Sequence, residues 1–319
     1  MRAIASVAES LFKDYQHILD VGDVFSRDSL NQFNDHTSFS ESLIIKKSSK
    51  NLLIVIGESW TYPDSLTGVS AYDGTDDLSH RCKSSFWAHM GNVLDADILH
   101  SAKPGNSNVW NIKNLQRIKS QFHQYFLEYS TVYLVFQLTS PWRDLSADSV
   151  VTESISKTED TKYVLNIPKW TKELLPIQEY FVRYDNNYLK CIEEITKSLN
   201  LKTLVWKNFN FFQSTYKPKN IHLIETPWIQ FSATLANIKL PPLPGAMEPW
   251  AFDNFKTFKN YDVSTNLLLE EIDKMDKIHA VYNNGSLQEW HNGNHPNETN
   301  HKKWAEYMLE DSNWIKEST

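Results

Sequence analysis

The sequence predicts an α/β protein, a three-layer α/β/α sandwich on a central parallel sheet. Three observations carry that prediction. The run "NLLIVIG" (51–57) is continuous, apolar and of strand length, "TVYLVFQL" (131–138) reads as another buried strand, and "LKTLVWKNF" (201–209) as a third. Segments with helical spacing of apolar residues alternate with them, the pattern of βαβ units. Small and polar residues stand just after each of the first strands, where open parallel sheets build their sites.

Taken in order, residues 1–50 are mixed and polar, with one helix expected over about Ile4 to Leu19. They read as an N-terminal extension to a domain spanning 51–319. "NLLIVIG" is apolar at every position between Asn51 and Gly57, as a strand buried on both faces requires. "SHRCKSSFWAHMGNVLDA" carries Phe86, Met90, Val93 and Leu94 at helical spacing, with Gly91 weighing against a helix. "DILHSAKPGNSN" reads as a short strand ending in a Pro-Gly loop. A helical stripe follows through Val109, Ile112, Leu115, Ile118 and Phe122. After "TVYLVFQL", residues 146–162 are polar and acidic, an exposed loop. The next helix runs through Phe181, Tyr188, Ile192, Ile195 and Leu199. The stretch 208–290 reads as an irregular insertion, because "PPLPGAMEPWAF" is too rich in proline for regular structure. A rim or lid over the sheet is its natural place. "ETNHKKWAEYMLEDSNWIKE" closes the chain as a helix, with Trp304, Tyr307, Met308 and Leu309 on its apolar side.

Composition narrows the function classes. A chain of 319 residues, 41% hydrophobic, is long enough for a full core. A net charge of −7 provides no electrostatic footprint for nucleic acid. The start, "MRAIASVAESLFKDYQ", meets Glu and Lys too early for a secretory apolar region, and no run approaches the roughly 18 residues of a membrane span. The expectation is a cytoplasmic or virion-associated protein. Cys82 and Cys191 make no disulfide framework. The 11 tryptophans serve core and rim packing in one reading, and line a sugar site or contact a partner in another. The sequon matches at Asn284 and Asn297 read as chance.

The strand ends suggest chemistry. Gly57-Glu58-Ser59-Trp60 follows the first strand, Pro104-Gly105-Asn106-Ser107-Asn108 the second, and Thr139-Ser140-Pro141-Trp142-Arg143 the third. The chain returns before its last helix with His295-Pro296-Asn297. A serine at a strand end exposes its hydroxyl, and a histidine in reach can take the proton as the oxygen attacks a carbonyl. Glycine at a second strand end lets backbone N–H groups approach the developing oxyanion. His291 and His295 are four apart, but Gly293 and Pro296 prevent the helix that would align them on one metal. No metal and no cofactor are expected. "PGNSN" lacks the Gly-Lys-Ser/Thr that a phosphate loop needs.

These stretches resemble the SGNH (GDSL-type) hydrolases. "IVIGESW" resembles block I, with Ser59 as nucleophile. "AKPGNSN" is similar to block II, with Gly105 at the oxyanion glycine, and "VFQLTSPWRD" stands at block III. "NGNHPNETNHKKWAEYM" resembles block V, with His295 as the base. The variants are most similar to SGNH-like proteins of phages. The resemblance runs from Asn51 to the C-terminus, outside the extension and the insertion, and implies the flavodoxin-like SGNH fold.

Three positions depart from the family pattern. Glu58 replaces the Asp before the serine. Thr139 stands where an asparagine donates to the oxyanion, and Asn292 stands where the family has its acid. The resemblance implies a serine esterase, with Ser59 N–H, Gly105 and Thr139 holding the oxyanion. Asn292, or a backbone carbonyl, would orient His295. Asn108 and Arg143 are candidates for substrate binding, with a structural ion pair the equal reading of Arg143. The expected substrate is a small-molecule or glycan ester, an O-acyl carbohydrate first. A glycan acyltransferase would use the same residues. The rival is a weak or retired enzyme kept as a binding or structural module, with virion proteins as partners through the extension.

Overall fold

A computed structural model describes residues 43–45, 49–62, 83–102, 106, 108–139, 177–208, 214–238, 287, 289–292 and 295–315. Six strands form one sheet: β1 (Leu43–Ile45), β2 (Asn51–Gly57), β3 (Ala96–Ala102), β4 (Thr131–Leu138), β5 (Lys202–Lys207) and β6 (Ile221–Leu223). Their order is β1-β3-β2-β4-β5-β6. Five are mutually parallel, and β1 pairs antiparallel to β3 at the edge. The helices are α1 (Phe86–Val93), α2 (Asn108–Phe126), α3 (Ile177–Lys197), α4 (Trp228–Leu235) and α5 (Glu298–Asp311). A small antiparallel pair, β7 (His291–Asn292) with β8 (His295–Pro296), precedes α5.

Alternation along the strands sorts the helices into two layers. Leu52, Ile54 and Ile56 of β2, with Leu134, Phe136 and Leu138 of β4, face Ile112, Leu115 and Ile118 of α2 and Leu189 and Ile192 of α3. Fully buried side chains of this kind each contribute roughly 1.5–3 kcal/mol. On the other face Trp206 of β5 meets Phe86 of α1, Trp228 of α4 and Trp304 of α5 at centroid distances of 5.2–5.8 Å. The result is the expected three-layer α/β/α sandwich around a parallel sheet.

Local sequence sets the element ends. Ser85 caps α1 by accepting from Ala88 N–H, and Asn297 caps α5 by accepting from Asn300 N–H. Asp95, Asn200, Asn237 and Asn313 take positive φ just beyond helices α1, α3, α4 and α5. Asn and Asp tolerate that conformation, and the chain uses them where glycine is the commoner choice. Gly91 does not break α1. A Cβ there would come within 2.7 Å of Ile98 Cδ1, so the glycine allows α1 to lie close on β3.

The structure corrects two readings. The stretch 208–290 is not irregular throughout, since it contains β6 and α4. Its prolines flank rather than interrupt them: Pro227 is the N-cap of α4, and the cluster at 241–249 lies outside the described residues. Leu43–Ile45, inside the segment read as an extension, is an edge strand of the main sheet. The helix expected over 4–19 and the loop at 146–162 lie outside the described residues.

Candidate active site

The strand order reverses at β2. β3 follows β2 on one side, and β4 returns to the other, so the carboxyl end of β2 is a topological switch point. Gly57-Glu58-Ser59 stands there. Thr61 N–H and Tyr62 N–H both donate to Glu58 O, at 3.0 and 2.8 Å, and wind the chain into a turn. Gly57 is required by close approach: a Cβ would lie 2.1 Å from Thr61 Oγ1 and 2.6 Å from Gln137 Oε1.

The return of the chain brings His295 to this turn. Asn292 and His295 are Cα partners in the β7–β8 pair, joined by Gly293 and Asn294. Asn297 N–H donates to Trp290 O at 3.0 Å and closes the far end of the pair. The Asn297 cap then starts α5, which is anchored on α1: His301 Nδ1 accepts from Phe86 N–H at 3.1 Å, and Ser84 Oγ donates to Glu298 Oε1 at 2.8 Å. Held this way, His295 Nε2 lies 3.0 Å from Ser59 Oγ. Ser59 is buried and His295 half-buried.

Glu58 is fully buried beside them, and five donors converge on its carboxylate. Oε2 accepts from Ser59 N–H at 2.7 Å and from Ser59 Oγ at 2.6 Å. Oε1 accepts from Trp60 N–H at 3.3 Å, from Asn208 Nδ2 at 3.3 Å and from Gln137 Nε2. The Gln137 amide is oriented by its other end, whose Oε1 accepts from Glu58 N–H at 3.0 Å and Thr61 Oγ1 at 2.5 Å. Ser59 Oγ therefore has two partners and one hydrogen. Turning that hydrogen about the Cβ–Oγ bond moves it from Glu58 to His295 with no heavy-atom shift.

Burial sets the charge of the surrounding imidazoles. Burial drives His291 down to about 3, aided by charge on His295. His301 is held well below its ordinary value, by burial first and then by His89, His295 and His291. Both are neutral at physiological pH. Trp60 packs edge-on against His291 and Trp228, at 5.7 and 5.6 Å between centroids, and walls the base of the site.

The other sequence-predicted residues divide. Asn108 is fully buried, with its amide turned to the backbone of Thr139: Nδ2 donates to Thr139 O and Oδ1 accepts from Thr139 N–H, both at 2.8 Å. That pairing ties the start of α2 to the end of β4. Thr139 is buried at that strand end. Ser59 N–H, read as an oxyanion donor, is engaged by Glu58. Gly105, Arg143 and the Asn292 side chain lie outside the described residues.

In the sequence Glu58 stands only as a replacement for the Asp before the serine, with no role of its own, and Gln137 and Asn208 do not show as site residues. A glutamine inside the apolar run "TVYLVFQL" was one available signal. Asn208 follows β5 directly, so extending the strand-end rule to the fourth parallel strand would have found it. Among the described residues no three His, Cys, Asp or Glu side chains group as a metal site, and no helix is long and apolar enough to cross a membrane.

No protein-family model matches the chain, and no curated protein matches it. Among solved structures it is similar to a candidate GDSL-like lipase from Parabacteroides merdae. The identity is 13%, the TM-score 0.34, and the match covers 83% of this chain and 96% of that one.

Proposed function

We propose that this chain is an SGNH-like serine esterase. The observation that carries the reading is the 3.0 Å contact between Ser59 Oγ and His295 Nε2 at the switch point of the sheet. Ser59 is the nucleophile and His295 the general base. Oγ bonds the ester carbonyl carbon as His295 takes the hydroxyl proton. His295 then returns it to the leaving alcohol, and water repeats the sequence on the acyl-enzyme. Asn292 orients His295 from the facing strand. With Ser59 N–H engaged by Glu58, the oxyanion falls to Gly105 N–H and the Thr139 hydroxyl. Arg143 binds substrate, and the substrate class is an O-acyl group on a carbohydrate.

One observation favours a second reading, a weak or retired site on a fold kept for binding, as in a phage virion. It is the engagement of both Ser59 N–H and Ser59 Oγ by Glu58. Hydrolysis of a short-chain aryl ester by the wild type and by Ser59→Ala separates the two. The esterase reading expects hydrolysis that the variant loses, and equal rates would overturn it.

A further inference from the structure

The general base of a Ser–His pair needs a counter-charge when it becomes imidazolium. Position 292, facing His295 across the β7–β8 pair, holds a neutral asparagine. Among the described residues, Glu58 brings a carboxylate to the pair at the nucleophile. Glu58 Oε2 is 2.6 Å from Ser59 Oγ, which is 3.0 Å from His295 Nε2. Glu58 and His295 are thus no farther apart than two hydrogen bonds laid end to end.

We propose that Glu58 is the charged partner of the Ser59–His295 pair, fixing the serine and supplying the counter-charge for the imidazolium from the nucleophile side. The inference rests on the esterase reading of Ser59 and His295.

The surroundings suit a fixed charge. Glu58 is fully buried, and three of its donors can act only as donors toward it: the N–H groups of Ser59 and Trp60, and the Gln137 amide oriented by Glu58 N–H. Asn208 adds a fourth from the end of β5. A carboxylate held this way turns with the strand ends and not with solvent. Buried away from water, its field on His295 is weakly screened.

Other titratable groups among the described residues stand about the pair. His291 on β7 and His301 on α5 are buried and neutral. His89 on α1 faces His301 and is itself lowered by burial, then by Lys302, with Glu298 and Glu306 opposing. Lys207 is buried one residue before Asn208.

The step balances without moving a proton to Glu58. The Ser59 hydrogen turns from Oε2 to His295 Nε2. Oγ bonds the carbonyl carbon, the carbonyl electron pair moves onto its oxygen, and the proton ends on His295. Glu58 keeps its N–H bonds and its charge, which now opposes the imidazolium.

Two charge-only comparisons at position 58 test this: wild type against Glu58→Gln, and Glu58→Asp against Glu58→Asn. The readout is titration of the His295 ring by NMR of histidine-labelled protein, assigned by its loss in His295→Gln. An opposite charge at this range favours the protonated ring, so the neutral member of each pair should titrate at least about one pH unit lower. Coincident midpoints within a pair would overturn the inference. The shorter pair decides if Glu58→Gln does not fold. Fluorophosphonate labelling of wild-type Ser59 reports separately on the esterase reading, so a failure there is told apart from a failure of the role of Glu58.

Discussion

Ser59 Oγ and His295 Nε2 lie 3.0 Å apart although 236 positions separate them. Three local devices produce that meeting: Gly57, which permits the turn after β2; the β7–β8 pair, which presents His295; and the Asn297 cap, which launches α5 onto α1. Each can be tested alone.

Gly57→Ala should destabilise the protein by about 1–3 kcal/mol, since the new methyl meets Thr61 and Gln137 well inside contact distance. Those atoms belong to the Glu58 network, so Ser59 should also lose its orientation. Thermal unfolding reads the first effect and probe labelling the second. A wild-type Tm in the variant would contradict the packing described for the turn.

Asn108→Ala should cost about 2–4 kcal/mol, because it strips a donor and an acceptor from the buried backbone of Thr139. Asn108→Asp keeps the acceptor for Thr139 N–H but sets a buried carboxylate oxygen against Thr139 O, and at neutral pH should cost at least as much. Urea unfolding of the two variants checks the order. If Asn108 instead bound substrate, its loss would raise KM and leave stability unchanged.

Much of the fold was legible because parallel strands buried on both faces must be apolar throughout. "NLLIVIG" and "TVYLVFQL" match β2 and β4 residue for residue. β1 was not legible: three residues, "LII", at a sheet edge carry no periodicity. β6 and α4 were hidden by prolines that turn out to flank them. The Ser59–His295 pair could be read from strand ends and motif order. The role of Glu58 could not, because its partners Gln137 and Asn208 stand 79 and 150 positions away and meet only in the folded sheet.

Stability should fall as pH drops below about 6.5. His100 is fully buried in β3 against Trp87, and burial lowers it to about 4, while His291 is lowered to about 3. The folded state holds these rings neutral, and the unfolded chain protonates them near 6.5. Their stabilisation is therefore complete above 6.5 and is lost as pH falls through the interval down to 4 and 3. For His100 the full loss is roughly 3 kcal/mol. Urea midpoints between pH 7 and 5 should decline, and less steeply in His100→Phe. A flat profile over that range would contradict the buried neutral histidines.

The central claim, that Ser59 is a nucleophile activated by His295, is tested most directly by the rate of fluorophosphonate labelling. Ser59 should be labelled in the wild type, not labelled in Ser59→Ala, and labelled at least about a hundredfold more slowly in His295→Gln. A wild type that resists the probe, or a His295 variant labelled at the wild-type rate, would contradict it.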